Sequence, residues 1–136
     1  MRLLAFDPGS VRIGVAVSEN GILAAPAGYI KNNEKLKERL SGLVEKHRPE
    51  IIVVGRPGSP KNRDRCPGEE LADIVRAVDG APEVVLHDES MTSVEAGRIL
   101  IGADLSRRKR REKTDGLAAA LILQGYIEKR RQEGDG

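Results

Sequence analysis

Aromatic residues are nearly absent from this chain. Among its 136 residues there are two tyrosines, Tyr29 and Tyr126, one phenylalanine, Phe6, and no tryptophan. So few rings argue against a base-stacking platform for single strands; a nucleic-acid partner would be gripped through its backbone and shape. Cysteine is present once, as Cys66, which excludes an internal disulfide and suits a reducing compartment. It falls in a polar stretch and carries no chemistry in this reading. No apolar run approaches the roughly 18 residues of a membrane span, and Met1-Arg2 leads straight into a short strand rather than a signal peptide. The expectation is a cytoplasmic domain without membrane contact. One domain is expected over residues 1–131, long enough for its own core, followed by a frayed tail at 132–136.

A strong excess of one charge is also missing, since the formal net charge is +2. Its distribution is uneven. Residues 1–106 carry a net charge of −2 and residues 107–136 carry +4, concentrated in Arg107-Arg108-Lys109-Arg110-Arg111-Glu112-Lys113. Such a run is either a solvated connector or a strip that contacts phosphates.

What is present is a clear alternation of strand and helix signals. Leu3–Asp7 reads as a short buried strand. After the turn Pro8-Gly9, Val11, Ile13, Val15 and Val17 alternate with small or polar residues, as in a strand burying one face. Asn20-Gly21 signals a hairpin into a third extended run, Ile22–Ile30. Pro26 lies inside that run and cannot donate to a ladder, which assigns it to an edge. Asn33 is placed to cap a helix with the stripe Leu36, Leu40, Leu43 and Val44, ending before Pro49. Ile51-Ile52-Val53-Val54 fits a parallel strand covered on both faces. A Gly- and Pro-rich loop, 55–67, precedes a helix carrying Leu71, Ile74, Val75 and Val78, and a fifth strand spans Glu83–His87. Thr92-Ser93-Val94-Glu95 has capping-box spacing for a helix to about Ala103. A last helix is expected from about Thr114 to Arg131, with the basic run as a connector before it.

Three hairpin-linked strands followed by two helix-linked ones give the order 3-2-1-4-5. The expected fold is α/β: a five-stranded mixed sheet with strand 2 antiparallel and helices on both faces. Ligands of such sheets gather at the carboxyl ends of the parallel strands. Asp7 ends strand 1 there, and Asp88-Glu89 follows strand 5. Alternation lets only one of that adjacent pair point inward. Asp115 heads the last helix, on a face shared with Ala118, Ala119, Ile122 and Tyr126. A charge at the head of a packing face is costly unless compensated. Capping or the helix dipole would compensate Asp115 locally, but three acids at one rim point to a cation. Crowded carboxylates repel unless a cation lies among them. Mg2+ or Mn2+ suits an all-oxygen site, and two such ions about 3.5–4 Å apart serve phosphodiester hydrolysis. His47 closes a helix and reads as structural. His87 ends a strand near the rim and stays a candidate for handling water or protons. Gly55-Arg56-Pro57-Gly58-Ser59-Pro60-Lys61 lacks the Gly-Lys-Ser/Thr ending of a P-loop.

Four motifs in order, Phe6-Asp7-Pro8-Gly9-Ser10-Val11-Arg12-Ile13-Gly14-Val15-Ala16, Val53-Val54-Gly55-Arg56-Pro57, His87-Asp88-Glu89-Ser90-Met91-Thr92-Ser93 and Asp115-Gly116-Leu117-Ala118-Ala119, resemble those of the YqgF family. These are bacterial Holliday-junction-resolvase-like proteins. The resemblance runs from about residue 3 to 127. It implies a ribonuclease-H-like fold and a metal-dependent nuclease of pre-16S rRNA maturation, with Asp7, Glu89 and Asp115 as catalytic, metal-binding acids for Mg2+ or Mn2+. Structured RNA would be the first partner and branched DNA the second. The alternatives are a Holliday-junction DNA resolvase and a catalytically weak nucleic-acid-binding or regulatory module on the same fold. Phosphates would be held by Arg12, Arg56, Lys61, Arg63, Arg107, Arg108, Lys109, Arg110, Arg111 and Lys113. The chain departs from the family pattern at Ser90, usually arginine, and at Arg56, usually leucine.

Overall fold

The computed structural model describes residues 1–56, 67–88 and 107–134, the side chains of 67, 88, 107–115 and 134 excepted. Strands β1 (Leu3–Asp7), β2 (Arg12–Ser18), β3 (Ala25–Lys31), β4 (Ile51–Arg56) and β5 (Glu83–Asp88) form one sheet in the order β3-β2-β1-β4-β5. β1 is antiparallel to β2 and parallel to β4, and β4 is parallel to β5. This is the order expected from the sequence, with the Pro26 strand at an edge. Helices α1 (Leu36–His47), α2 (Pro67–Arg76) and α3 (Arg107–Gly134) complete the described elements.

Alternation along the strands divides the core into two layers. Leu4, Phe6, Ile13, Val15, Ile52 and Val54 meet Leu36, Leu40 and Val44 of α1 and Leu71 and Val75 of α2. Phe6 is fully buried there, which is worth about 1.5–3 kcal/mol of transfer free energy. On the other face, Leu3, Ala5, Ala16, Ile51 and Val53 pack against Ala119, Ala120, Ile122, Leu123 and Ile127 of α3. The expectation that β2 buries one face is therefore corrected. Ala16 is fully buried beneath α3, while Val11 precedes the strand and is 71% exposed. Small residues such as Gly14 and Ala16 look like a surface in a hydropathy pattern, yet their size lets a helix come close.

The third strand begins at Ala25 rather than Ile22. The Asn20 side-chain oxygen accepts the amides of Ile22 and Leu23, and the Ser18 hydroxyl accepts that of Gly21. Ala24 donates to the Gln124 side chain of α3. With those donors satisfied locally, the ladder starts afterwards, and Ile22 and Leu23 stay exposed. Asn33 does not cap α1 directly; its side chain accepts the Lys35 amide in the turn ahead of the helix. α1 ends at Arg48, which has a left-handed backbone (φ 45) and donates its amide to the Val44 carbonyl (2.8 Å); the helix cannot run on because the residue before a proline is kept out of the right-handed α conformation. β4 reaches Arg56 and α2 starts at Pro67, so the expected loop is shorter at both ends. The helix expected over 92–103 and Cys66 lie outside the described residues.

The last helix starts at Arg107 instead of near Thr114. The basic run contains no helix breaker, and Arg and Lys are good helix formers. It therefore forms the first turns of α3 rather than a connector. Among the described residues no helix is long and apolar enough to cross a membrane.

Candidate active site

β1 carries Asp7 to the carboxyl-end rim of the parallel strands. Leu3 and Ala5 face α3, and Asp7, half-buried, ends that odd-numbered series. Its partner in β2 is Gly14, and the partner of Gly14 in β3 is Tyr29. On the other side Phe6 pairs with Val54, so Gly55 is the next position along β4, and Gly55 pairs with His87 of β5. At the level of Asp7 the sheet therefore reads Tyr29, Gly14, Asp7, Gly55, His87. The neighbours of Asp7 in this row, Gly14 and Gly55, are both glycines and contribute no side chain at its level. Sequence reasoning missed this row. The available signal was a glycine inside each of two β-branched runs, Ile13-Gly14-Val15 and Val54-Gly55, where glycine marks a close approach.

The pairing of β2 with β3 shifts between Gly14 and Ala16. β3 carries the extra residue, and Gly28 in that stretch has φ +87, the left-handed conformation of a β-bulge glycine. α3 rests on this bulge through Gly116, which has no room for a side chain: a β-carbon there would meet backbone atoms of both Gly28 and Val15. Two turns later Gln124 accepts the Ala24 amide (2.9 Å) and donates to the Ile22 carbonyl (3.2 Å). α3 thus runs from the level of Val15 toward the 19–24 loop, opposite to β1. The residues before Gly116 extend past the rim at which Asp7 stands. At 1.5 Å per residue, Arg107 begins about 13 Å further out.

The buried stripe of α3 is Gly116, Ala119, Ala120, Leu123 and Ile127, with Ile122 beside it. This is rotated by one position from the expected face of 115, 118, 119, 122 and 126, because Gly116 takes the point of closest approach. Asp115 lies about two turns inside the helix, and the first turn contains no acid. An N-terminal cap or first-turn dipole role is therefore removed.

Among the cations, the Arg12 guanidinium lies over the Tyr29 ring, 4.8 Å from its centroid. Lys31 is the register partner of Arg12. Asn32 secures the β1–β2 turn to the end of β3, its side chain donating to the Gly9 carbonyl (2.8 Å) and its amide to Val11 (2.9 Å). Arg56 ends β4 and pairs with Glu69 of α2 at 3.6 Å, on the α1/α2 side of the sheet rather than that of Asp7. The rings of His87 and Tyr126 meet edge to face, with centroids 6.0 Å apart. Glu89, Lys61, Arg63 and Ser90 lie outside the described residues, as do the side chains of Asp88, Arg107, Arg108, Lys109, Arg110, Arg111, Lys113 and Asp115. Among the described residues no three His, Cys, Asp or Glu gather to hold a metal; of the expected ligands, only the Asp7 side chain is described.

A mixed sheet of order β3-β2-β1-β4-β5, flanked by helices, defines a ribonuclease-H-like protein. The chain belongs to the family described as "RuvX: Holliday junction resolvase", which matches residues 1–129, and this is the YqgF-type nuclease family that its motifs resemble. It is 37% identical to the "Putative pre-16S rRNA nuclease" of Thermoanaerobacter pseudethanolicus, over 98% of this chain and all of that one. It is 39% identical to the protein of the same name from Halothermothrix orenii, over 93% and 94%. In shape it is similar to Thermus thermophilus RuvC (TM-score 0.61, 16% identity, 97% of both chains). It is likewise similar to the fowlpox virus Holliday junction resolvase (TM-score 0.59, 10% identity, 95% and 99%).

Proposed function

We propose that this chain is a cytoplasmic, metal-dependent nuclease that hydrolyses phosphodiester bonds in the maturation of pre-16S rRNA. In this reading Asp7, Glu89 and Asp115 hold two Mg2+ or Mn2+ ions. The observation that carries it is the setting of Asp7: a half-buried acid at the end of the central strand, with glycine on either side, in a chain 37% identical to a relative named for pre-16S rRNA. Carboxylate oxygens suit hard ions that keep several waters. When bound, such ions supply an activated water and neutralise charge on the phosphate oxygens.

Glu89 is preferred to Asp88 because Val85 and His87, the odd positions of β5, lie on the α3 side. Two features support Asp115. Gly116 seats the neighbouring turn on the sheet. On an ideal helix position 115 also falls within about 20° of position 126, and Tyr126 contacts β5 while Gln124 reaches the β2–β3 loop.

In this reading Arg12 and the helical run Arg107, Arg108, Lys109, Arg110, Arg111 and Lys113 grip phosphates around the rim, and Arg56, Lys61 and Arg63 are further candidates for phosphate contact. Cations in the first turn of a helix oppose its dipole, at about 0.3–1 kcal/mol each. Their cost to stability favours a ligand as their purpose. Resolution of four-way DNA junctions is the second reading, favoured by the family description. The test is incubation with Mn2+ of a structured rRNA precursor and a four-way junction side by side, wild type against Asp7→Asn. Cutting of the precursor that Asp7→Asn abolishes supports the proposal, and cutting of the junction alone supports the second reading. Binding of both without cleavage by wild type leaves a non-catalytic binding module.

A further inference from the structure

Of the three aromatic rings in the chain, Phe6 is fully buried and Tyr126 packs on His87, whereas Tyr29 is 41% exposed. We propose that Tyr29, with Arg12 lying on it, forms a stacking site for one unpaired nucleotide next to the phosphodiester cut at Asp7. The inference rests on the nuclease reading above and adds a substrate class to it: a strand whose scissile phosphate adjoins an unpaired base. It also revises, at one position, the expectation that scarce aromatics exclude stacking.

Four features of the structure converge on Tyr29. It occupies the same cross-strand row as Asp7, with only Gly14 between them. Two strand spacings put their backbones about 10 Å apart, within reach of a phosphate and its neighbouring base. β3 is the edge of the sheet, and among the described residues no further strand covers the outer side of Tyr29. The Gly28 bulge immediately precedes Tyr29, and bulges near sites re-aim the adjoining side chain. Finally, Arg12 approaches the ring to 4.8 Å, Lys31 is in register beside it, and Asn32 clamps the turn to the strand. A planar cation and a phenol ring offer stacking surfaces, and the flanking charges suit the backbone of the same nucleotide. One platform accepts one base of any identity, so discrimination falls on pairing state rather than on sequence.

The test compares two RNAs of equal length, a blunt hairpin and the same stem with an unpaired tail carrying 2-aminopurine. Binding is followed by anisotropy and base fluorescence without divalent metal, so that nothing is cut. Wild type should prefer the tailed RNA and quench the probe. Tyr29→Ala and Tyr29→Leu should lose about tenfold or more in affinity for the tailed RNA, lose the quenching, and bind the blunt hairpin as before. Tyr29→Phe should restore both, and Arg12→Lys, which keeps charge but not the plane, should fall between. Equal affinity of wild type and Tyr29→Ala for the tailed RNA overturns the proposal. So does an equal loss on both RNAs, or a wild type that does not quench. Absence of Mg2+- or Mn2+-supported cleavage with Tyr29-dependent quenching intact would instead sink the nuclease reading and leave the stacking site standing.

Discussion

Gly116 of α3 sits directly on Gly28 of the edge strand. A β-carbon at 116 would lie 2.8 Å from the Gly28 amide nitrogen, 2.8 Å from the Val15 carbonyl oxygen and 3.0 Å from the Gly28 carbonyl oxygen. All three are backbone atoms, so no rotamer change relieves the clash. The contact fixes how deep the helix lies at the level of Asp7, and thereby where residue 115 stands.

Gly116→Ala should force α3 outward and cost about 1–3 kcal/mol, the usual range for overpacking. Metal-supported cleavage should fall more than substrate affinity. Gly42→Ala in α1 is the control. Nothing lies within 4 Å of its added methyl, and glycine inside a helix costs about 0.5–1 kcal/mol against alanine. That variant should be more stable with unchanged cleavage. Urea unfolding with initial rates on both variants decides the matter, and a Gly116→Ala protein with wild-type stability and rate would remove the seat.

Asp7→Asn, Glu89→Gln and Asp115→Asn should each reduce cleavage to background while unfolding like wild type, or at slightly higher denaturant, in metal-free buffer. In the proposed site, removing one of three neighbouring charges would relieve repulsion when no cation is bound. Asp88→Asn should retain most of the activity, and the reverse pattern between 88 and 89 would shift the second ligand by one residue. Mg2+ and Mn2+ should support turnover. Ca2+, with more ligands at longer distances, should support little, and cleavage that persists in excess chelator would end the two-ion reading.

Replacing Arg108, Arg110 and Arg111 with glutamine tests the helical basic run. Each lost phosphate contact should lower the slope of log affinity against log salt by about 0.7–0.9, alike for all sequences. Turnover of bound substrate should change much less. Glutamine also propagates a helix well, so circular dichroism should be unaltered. An unchanged slope and affinity would make the run a solvated end of α3.

His47 provides a pH test far from the rim. Burial, reinforced by Lys46 and partly opposed by Glu19, lowers its pKa below the usual 6.5. It closes α1, where the helix dipole favours a positive charge, so burial is the stronger influence. The folded protein takes up this proton less readily than the unfolded chain. His47 therefore costs no stability well above pH 6.5, and stability is lost as pH falls below that value toward the lowered pKa. His47→Gln should flatten the decline in thermal midpoint between about pH 7 and 5. A decline as steep as that of wild type would assign it to carboxylates instead.

The strand order, the edge position of β3 and the end of α1 before Pro49 could be read from the sequence because each depends on local chemistry: hydrophobic period, an amide that proline lacks, a conformation proline forbids. The family, too, was legible in the motifs around Asp7, Gly55, Glu89 and Asp115. What the sequence could not show was decided by close approach between distant segments. The hidden face of β2 is made of residues too small to register as hydrophobic, and only α3 lying on them shows that they are core. The start of β3 depends on Asn20 and Gln124 claiming amides that a ladder would otherwise use. The phase of α3 is set by Gly116 against Gly28, a contact across 88 residues that no helical period encodes. The row Tyr29, Gly14, Asp7, Gly55, His87 likewise exists only once five strands are in register, since pairing and not sequence distance makes those residues neighbours.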